Sequence, residues 1–260
     1  STQAQSTSTF RIEHVQERIE RGPVSVCHGR VRVTGQVTGF LRRLPGGEVI
    51  GMHPLDLPER SLVTHGVWWT VTDEALASAG VAASDVPGAL HAAEHASIGM
   101  LPLVATSDRW DVGGVSTDLH PDTGLPTVLV YDGYPGGAGF AERAFRTYAA
   151  WMTATRATVA GCDCRSGCPA CVQSPKCGNG NEPLDKAAAV RVLDLVLASL
   201  SAADTADSAH SSGSGSGLSS GSGSAASSAG STGTAEAASS AGSSGAAASA
   251  GTQSHPESAA

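Results

Sequence analysis

Residues 162–179 read CDCRSGCPACVQSPKCGN and hold five of the chain's six cysteines. They follow the spacing C-x-C-x3-C-x2-C-x5-C, at Cys162, Cys164, Cys168, Cys171 and Cys177. Zinc takes four thiolate or imidazole ligands in a tetrahedron, and a knuckle such as Cys168-Pro169-Ala170-Cys171 presents two sulfurs to one metal. Gly167 and Pro169 supply the tight turn. An iron–sulfur cluster also uses four thiolates, and a thioredoxin-like redox pair at Cys168/Cys171 would leave three cysteines without a role. Disulfides fit poorly, because five clustered cysteines cannot all pair and no secretory signal is legible at the start. Five cysteines compete for four places, and spacing alone does not choose among them.

The loop lies between two helical patterns. Before it, AERAFRTYAAWMTATRATV predicts one long helix with Phe145, Tyr148, Trp151 and Met152 on its buried side. After it, EPLDKAAAVRVLDLVLASL predicts a closing helix, with Leu184, Val190, Leu193, Leu197 and Leu200 at a 3.6-residue period and Pro183 in the first turn. Further upstream, PTVLVYDG (126–133) is a short apolar run that predicts a buried strand. The segments DEALASAG and SDVPGALHAAEHASIGMLPLVAT are Ala-rich and helical, with Ser84 or Asp85 as a cap. Residues 24–72 read differently. Val31, Val33, Val37 and Phe40 alternate with polar residues, Pro45-Gly46-Gly47 marks a turn, and SLVTHGVWWTVT is another strand. Residues 9–22 suit a short helix or an entering strand. The expected fold class is therefore α+β: a small antiparallel β unit over 1–72, then a helix-rich, zinc-stabilised α/β domain over 73–202.

Residues 203–260 are almost entirely Ser, Gly, Ala and Thr, and so are expected to be disordered, having too little to bury. The net charge is −8, and the tail's four acids (Asp204, Asp207, Glu236, Glu257), with no Lys or Arg beside them, leave −4 for residues 1–202. That mild acidity excludes a broad electrostatic footprint for nucleic acid. No apolar run is long enough to span a membrane, so a cytoplasmic location is expected. The chain opens on Ser1 without a Met, which suggests a piece of something longer.

GCPACVQSPKCGNGNEPLDKAAA, preceded by CDC, resembles the C-terminal zinc-binding domain of the mitomycin-repair helicases, the MrfA-type superfamily 2 DEAD/DEAH-box DNA helicases. The stretch from HAAEHASIGM to YPGGAGFAERAF is similar to the same family, as is the β unit ending in VWWTV, so the resemblance covers roughly residues 10–200. It implies that the metal is a structural zinc held by Cys162, Cys164, Cys168 and Cys171, with Cys177 a nearby thiol and alternative ligand. It also implies a role as the accessory region of an ATP-dependent DNA repair helicase, with motor domains lying before Ser1 and DNA as a weak partner. The sequence contains no G-x-x-x-x-G-K-[ST] and no Asp-Glu-x-His run. ATP and magnesium therefore belong to the full-length helicase, and this chain alone is not expected to be an enzyme.

Other patterns compete for function. His91, Glu94 and His95 form H-x-x-E-H, the pattern of a metal-dependent hydrolase, which would need a distal acid such as Glu142 or Glu182 as third ligand. A free-standing zinc-binding interaction module is a third reading. YDGYPGGAGF (131–140) is a Gly-rich loop whose N–H groups suit either an anion or a tight strand–helix turn. Trp68-Trp69 suits base stacking, although one of the two is expected in the core. Arg165, Lys176, Lys186 and Arg191 make a small basic set near the cysteines, a candidate for nucleic-acid contact. Cys27 stands alone and is expected to be buried.

Overall fold

Two strands of twenty residues open the chain: β1 (Thr2–Arg21) and β2 (Val24–Arg43), paired antiparallel across a turn at Gly22, whose φ of 58° favours glycine. The computed structural model describes residues 1–211. The segment 9–22, read as helix or strand, is strand as far as Arg21. β3 (Val49–Pro54) pairs with the far end of β2, and β4 (Arg60–Val71) pairs along its near half. After three helices come β5 (Val112–Thr117) and β6 (Thr127–Asp132), which complete a sheet of order β1-β2-β4-β6-β5 with every pair antiparallel. The boundary expected at residue 72 falls just after β4. The strands β5 and β6 beyond it belong to the same six-stranded sheet as those before it.

The sheet has a core on each face. Trp68 and Trp69 are neighbours on β4 and must point to opposite faces. Both are 1% exposed. Trp69 packs with Val24, Val26, Val71 and Val128 against the helices. Trp68 packs with Phe10, Cys27, Val31, Val33 and Leu129 on the other side. One of the pair is expected in the core; both are core residues, and neither is displayed for base stacking. The second core is closed by β1 itself. Register shifts at Gln5/Ser6, Ile12/His14 and Val15/Glu17 bend this strand. The bend brings Phe10 onto the His120 ring and its carbonyl to His120 Nε2 at 3.0 Å, while Ile12 N donates to Asp122 at 2.8 Å.

The helices cover the first face: α1 (Asp73–Ser78), α2 (Val86–Met100), α3 (Pro102–Ala105), α4 (Phe140–Arg146), α5 (Tyr148–Gly161) and α6 (Lys186–Ser211). In α2, Ala89, Ala92, Ala93 and Ala96 are all at most 1% exposed. Their small side chains let the sheet, α5 and α6 all approach one helix closely. The single helix expected over 141–159 is two, broken at Thr147, yet Phe145, Tyr148, Trp151 and Met152 are all buried as expected. Pro183 lies ahead of α6 rather than in its first turn. The helix starts at Lys186, and the Asp185 carboxylate accepts from Ala188 N at 2.8 Å. Asp85 precedes α2 but makes no side-chain cap bond. α6 continues past residue 202 to Ser211, so the first nine residues of the expected tail are helical. The rest of that segment, 212–260, lies outside the described residues. No helix among the described residues is long and apolar enough to cross a membrane.

Candidate metal centre

The helix α5 ends at Gly161, and Cys162 turns into extended backbone (φ −82°, ψ 126°) to begin the loop. Gly167 sits at φ 117°, and a Cβ there would come within 2.5 Å of Val172 Cγ2, so the turn requires glycine. The Cys168 carbonyl then accepts the N–H groups of Cys171 (3.0 Å), Val172 (3.2 Å) and Gln173 (3.1 Å), which winds the knuckle. Val172 is fully buried and moors the loop to the core. Lys186, in the first turn of α6, donates to the carbonyls of Cys162 and Cys164, the latter at 2.7 Å.

These anchors bring four sulfurs together. Sγ separations are 3.6 Å for Cys162–Cys164, 3.5 Å for Cys162–Cys168, 3.5 Å for Cys164–Cys171 and 3.8 Å for Cys168–Cys171. Four Zn–S bonds of about 2.3 Å in a tetrahedron place sulfurs about 3.8 Å apart. A disulfide would need about 2.05 Å. The residues therefore fit a zinc ion, and every one of these cysteines is free. Cys168 N also donates to Cys171 Sγ at 3.3 Å, a contact suited to a thiolate.

Cys177 is not part of that group. Its sulfur lies beside the α2 histidines, 3.5 Å from His91 Nε2, and one ligating atom from each of His91, His95 and Cys177 lies within 4.8 Å of the others. His91 Nδ1 donates to the Pro183 carbonyl at 2.7 Å, and His95 Nδ1 to the Val172 carbonyl at 2.8 Å. Burial holds both imidazoles below their usual range, His95 at about 4. Glu94 is 6% exposed and accepts from Ser116 Oγ at 2.6 Å, and its burial raises the carboxyl to about 7. Of the acids expected to join the histidines, Glu142 instead faces Arg146 at 3.7 Å. The third group beside His91 and His95 is the Cys177 thiol, which the H-x-x-E-H pattern does not foresee.

The four basic residues are not displayed as one surface. Lys176 is partly buried, donates to the carbonyls of Arg109 (3.0 Å) and Val112 (2.6 Å), and lies over the Trp110 ring. Lys186 serves the cysteine loop as above. Arg165 and Arg191 are exposed. The Gly-rich loop has its own anion. The Asp132 carboxylate, fully buried, accepts from Ala138 N (2.5 Å), Gly139 N (2.8 Å) and Ala141 N (2.8 Å). The N–H groups that suited a phosphate are thus satisfied by a side chain six to nine residues behind them, and the tight-turn reading holds.

Four cysteine sulfurs on a knuckle between two helices, laid against an antiparallel sheet, have the arrangement of a thiolate-type zinc-binding domain. Residues 93–172 match the family model described as the MrfA Zn-binding domain. The uncharacterized protein MJ1572.1 of Methanocaldococcus jannaschii is 34% identical over 113 residues, which are 42% of this chain and 99% of that protein. The uncharacterized ATP-dependent helicase YprA of Bacillus subtilis is 29% identical over 172 residues, 66% of this chain and 23% of the helicase. A crystal structure of the DUF1998 helicase MrfA bound to DNA superposes with a TM-score of 0.56 at 28% identity, covering 75% of this chain and 25% of that one. The chain belongs to the MrfA zinc-binding domain family, and it spans about a quarter of the length of the helicase YprA.

Proposed function

We propose that this chain serves as the C-terminal zinc-binding accessory region of an ATP-dependent DNA repair helicase and braces motor domains that it does not itself contain. The observation that carries the proposal is the quartet of sulfurs, at spacings that suit one tetrahedral zinc, inside a segment similar to the zinc-binding domain of helicases. Cys162, Cys164, Cys168 and Cys171 hold the zinc. Four thiolates leave no open position for a catalytic water, so the metal here supplies folding energy rather than chemistry. Zinc binding moors the ends of α5 and α6 to each other, and that rigid pair is what the motor would lean on. DNA is a weak partner of the chain alone: residues 1–202 carry −4, and Lys176 and Lys186 are engaged by carbonyls.

The test is a chimera in which this chain replaces the matched region of the YprA helicase. DNA-stimulated ATP hydrolysis is expected to exceed that of the truncated motor, and the gain is expected to vanish with Cys168→Ser. The isolated chain is expected to release no phosphate from ATP and to bind labelled DNA with a Kd of about 10⁻⁵ M or weaker at physiological salt. A chimera no more active than the truncated motor, or nanomolar DNA binding by the isolated chain, would sink the accessory reading.

A further inference from the structure

The group formed by His91, His95 and Cys177 is left unused by the thiolate cluster. His91 and His95 stand one turn apart on α2, with ring centroids 4.3 Å apart, and Cys177 approaches from the loop that returns toward α6. Carbonyl oxygens only accept hydrogen bonds. Each Nδ1 that meets one must therefore carry the ring's proton, which leaves Nε2 as the lone-pair nitrogen. His91 Nε2 lies 3.5 Å from Cys177 Sγ, and Asn179 Oδ1 stands 2.6 Å from the same sulfur. The His91 lone pair and an amide oxygen thus meet at a thiol that has a single proton to offer, with the His95 ring beside them. Asn181 N adds a donor to the sulfur at 3.2 Å, a contact that favours thiolate. A cation is what this arrangement of acceptors lacks.

We propose that His91, His95 and Cys177 form a second zinc site, distinct from the four-cysteine cluster. A tetrahedral zinc with Zn–N of about 2.0–2.1 Å and Zn–S of about 2.3 Å separates nitrogen from sulfur by about 3.5 Å, the distance found between His91 and Cys177. The carbonyls of Pro183 and Val172 fix the tautomer and the ring planes, the service that hydrogen-bonded partners perform for ligating histidines. Two imidazoles with one thiolate suit zinc's borderline softness. Three protein ligands leave a fourth position. All three line a cleft of about 500 Å³, together with Ser116, Tyr131 and Asn179, so the fourth position opens to that cleft. Zinc with one thiolate keeps a net positive charge, and the ligand class expected there is water or a small oxyanion.

Metal content and thiol protection test the site on the full chain. Protein saturated with zinc and freed of excess is expected to hold two zinc ions, and Cys177→Ser and His91→Gln one each. Unchanged far-ultraviolet circular dichroism would show that the variants fold. Wild-type protein gives a reading that needs no variant. After mild chelation, alkylation of Cys177, mapped by mass spectrometry, is expected to slow at least tenfold when zinc is restored. Cobalt in place of zinc is expected to show visible bands that shift on adding inorganic phosphate in wild type and stay fixed in Cys177→Ser. One zinc per wild-type chain at saturation, with Cys162, Cys164, Cys168 and Cys171 protected and Cys177 alkylated at the same rate with or without zinc, would overturn the second site while leaving the first intact. Cobalt bands indifferent to phosphate in wild type would overturn its open position.

Discussion

Lys186 Nζ lies 2.7 Å from the carbonyl oxygen of Cys164, so the first turn of the closing helix grips the start of the cysteine loop. A zinc ion with four thiolates carries two net negative charges, and the Lys186 ammonium is placed to offset part of them. Lys186→Met is expected to lose two charge-assisted bonds and this compensation, destabilising the zinc-loaded chain by about 2–4 kcal/mol. Lys186→Arg should recover part of that. Urea denaturation, with zinc release followed by a chromogenic chelator, checks both. Zinc release and unfolding midpoints that match wild type would show the contact to be incidental.

Cys168→Ser and Cys171→Ser each remove a sulfur from the quartet. Because a structural zinc contributes folding energy directly, either variant is expected to lose the cluster's zinc and to become poorly soluble. Elemental analysis of the purified chain is the measurement. Wild-type protein containing iron and sulfide instead of zinc would show the quartet to be an iron–sulfur ligand set.

Asp132 is the internal anion of the 132–141 turn. Asp132→Asn keeps the shape but replaces a full charge shared among three N–H groups, and turns one acceptor into a donor that faces donors. The expected cost is about 2–4 kcal/mol. Thermal unfolding of the two proteins side by side gives the answer, and a difference below about 0.5 kcal/mol, the size of an ordinary surface change, would show the turn to be held by other means.

His28 gives the fold a pH dependence. It is 3% exposed, on β2 with its ring beside Phe145 of α4, and burial lowers its pKa from 6.5, with the neighbouring His65 acting the same way. Glu17, 3.5 Å from Nδ1 without a hydrogen bond, and Glu142 pull weakly in the other direction. The unfolded chain therefore takes up a proton at a pH where the folded chain does not. The stability this supplies is present above pH 6.5 and is lost as the pH falls toward the lowered folded value. His28→Phe is expected to lose less stability than wild type between pH 7.5 and about 5.5. Urea midpoints for both proteins across that range decide it, and parallel curves would refute the assignment.

The parts of the molecule that were legible in sequence are those governed by short-range pattern. Alternating valines announced β2, the 3.6-residue period announced α6, and the knuckle announced a sulfur cluster among five cysteines, whereas the choice of Cys162, Cys164, Cys168 and Cys171 came from the family resemblance. The parts that were not legible depend on distant chain. β5 escaped because Gly113 and Gly114 carry no strand signal. They are glycine because Tyr131 and Glu94 crowd them, and a Cβ on Gly114 would come 2.5 Å from Glu94 Oε1. The break at Thr147 lies inside one continuous apolar pattern. The partner of His91 and His95 lay more than eighty residues away and was a thiol, where the helical pattern pointed to a distal acid. The basic set looked coherent because Lys176 and Lys186 are near the cysteines in sequence, and only packing shows their ammonium groups turned to carbonyls.

The alternation of Trp68 and Trp69 gives each side of the sheet its own fluorophore. A chain retaining Trp68 alone reports on the chamber enclosed by β1, whereas one retaining Trp69 or Trp151 reports on the layer beneath the helices. Trp110, 67% exposed, emits as a solvated indole and can be replaced at little cost to either. Zinc withdrawal acts on the helical layer, where Cys171 and Val172 are packed. Emission from the Trp69 chain should then redden while that from the Trp68 chain stays blue, until the shared strand β4 gives way and both shift together.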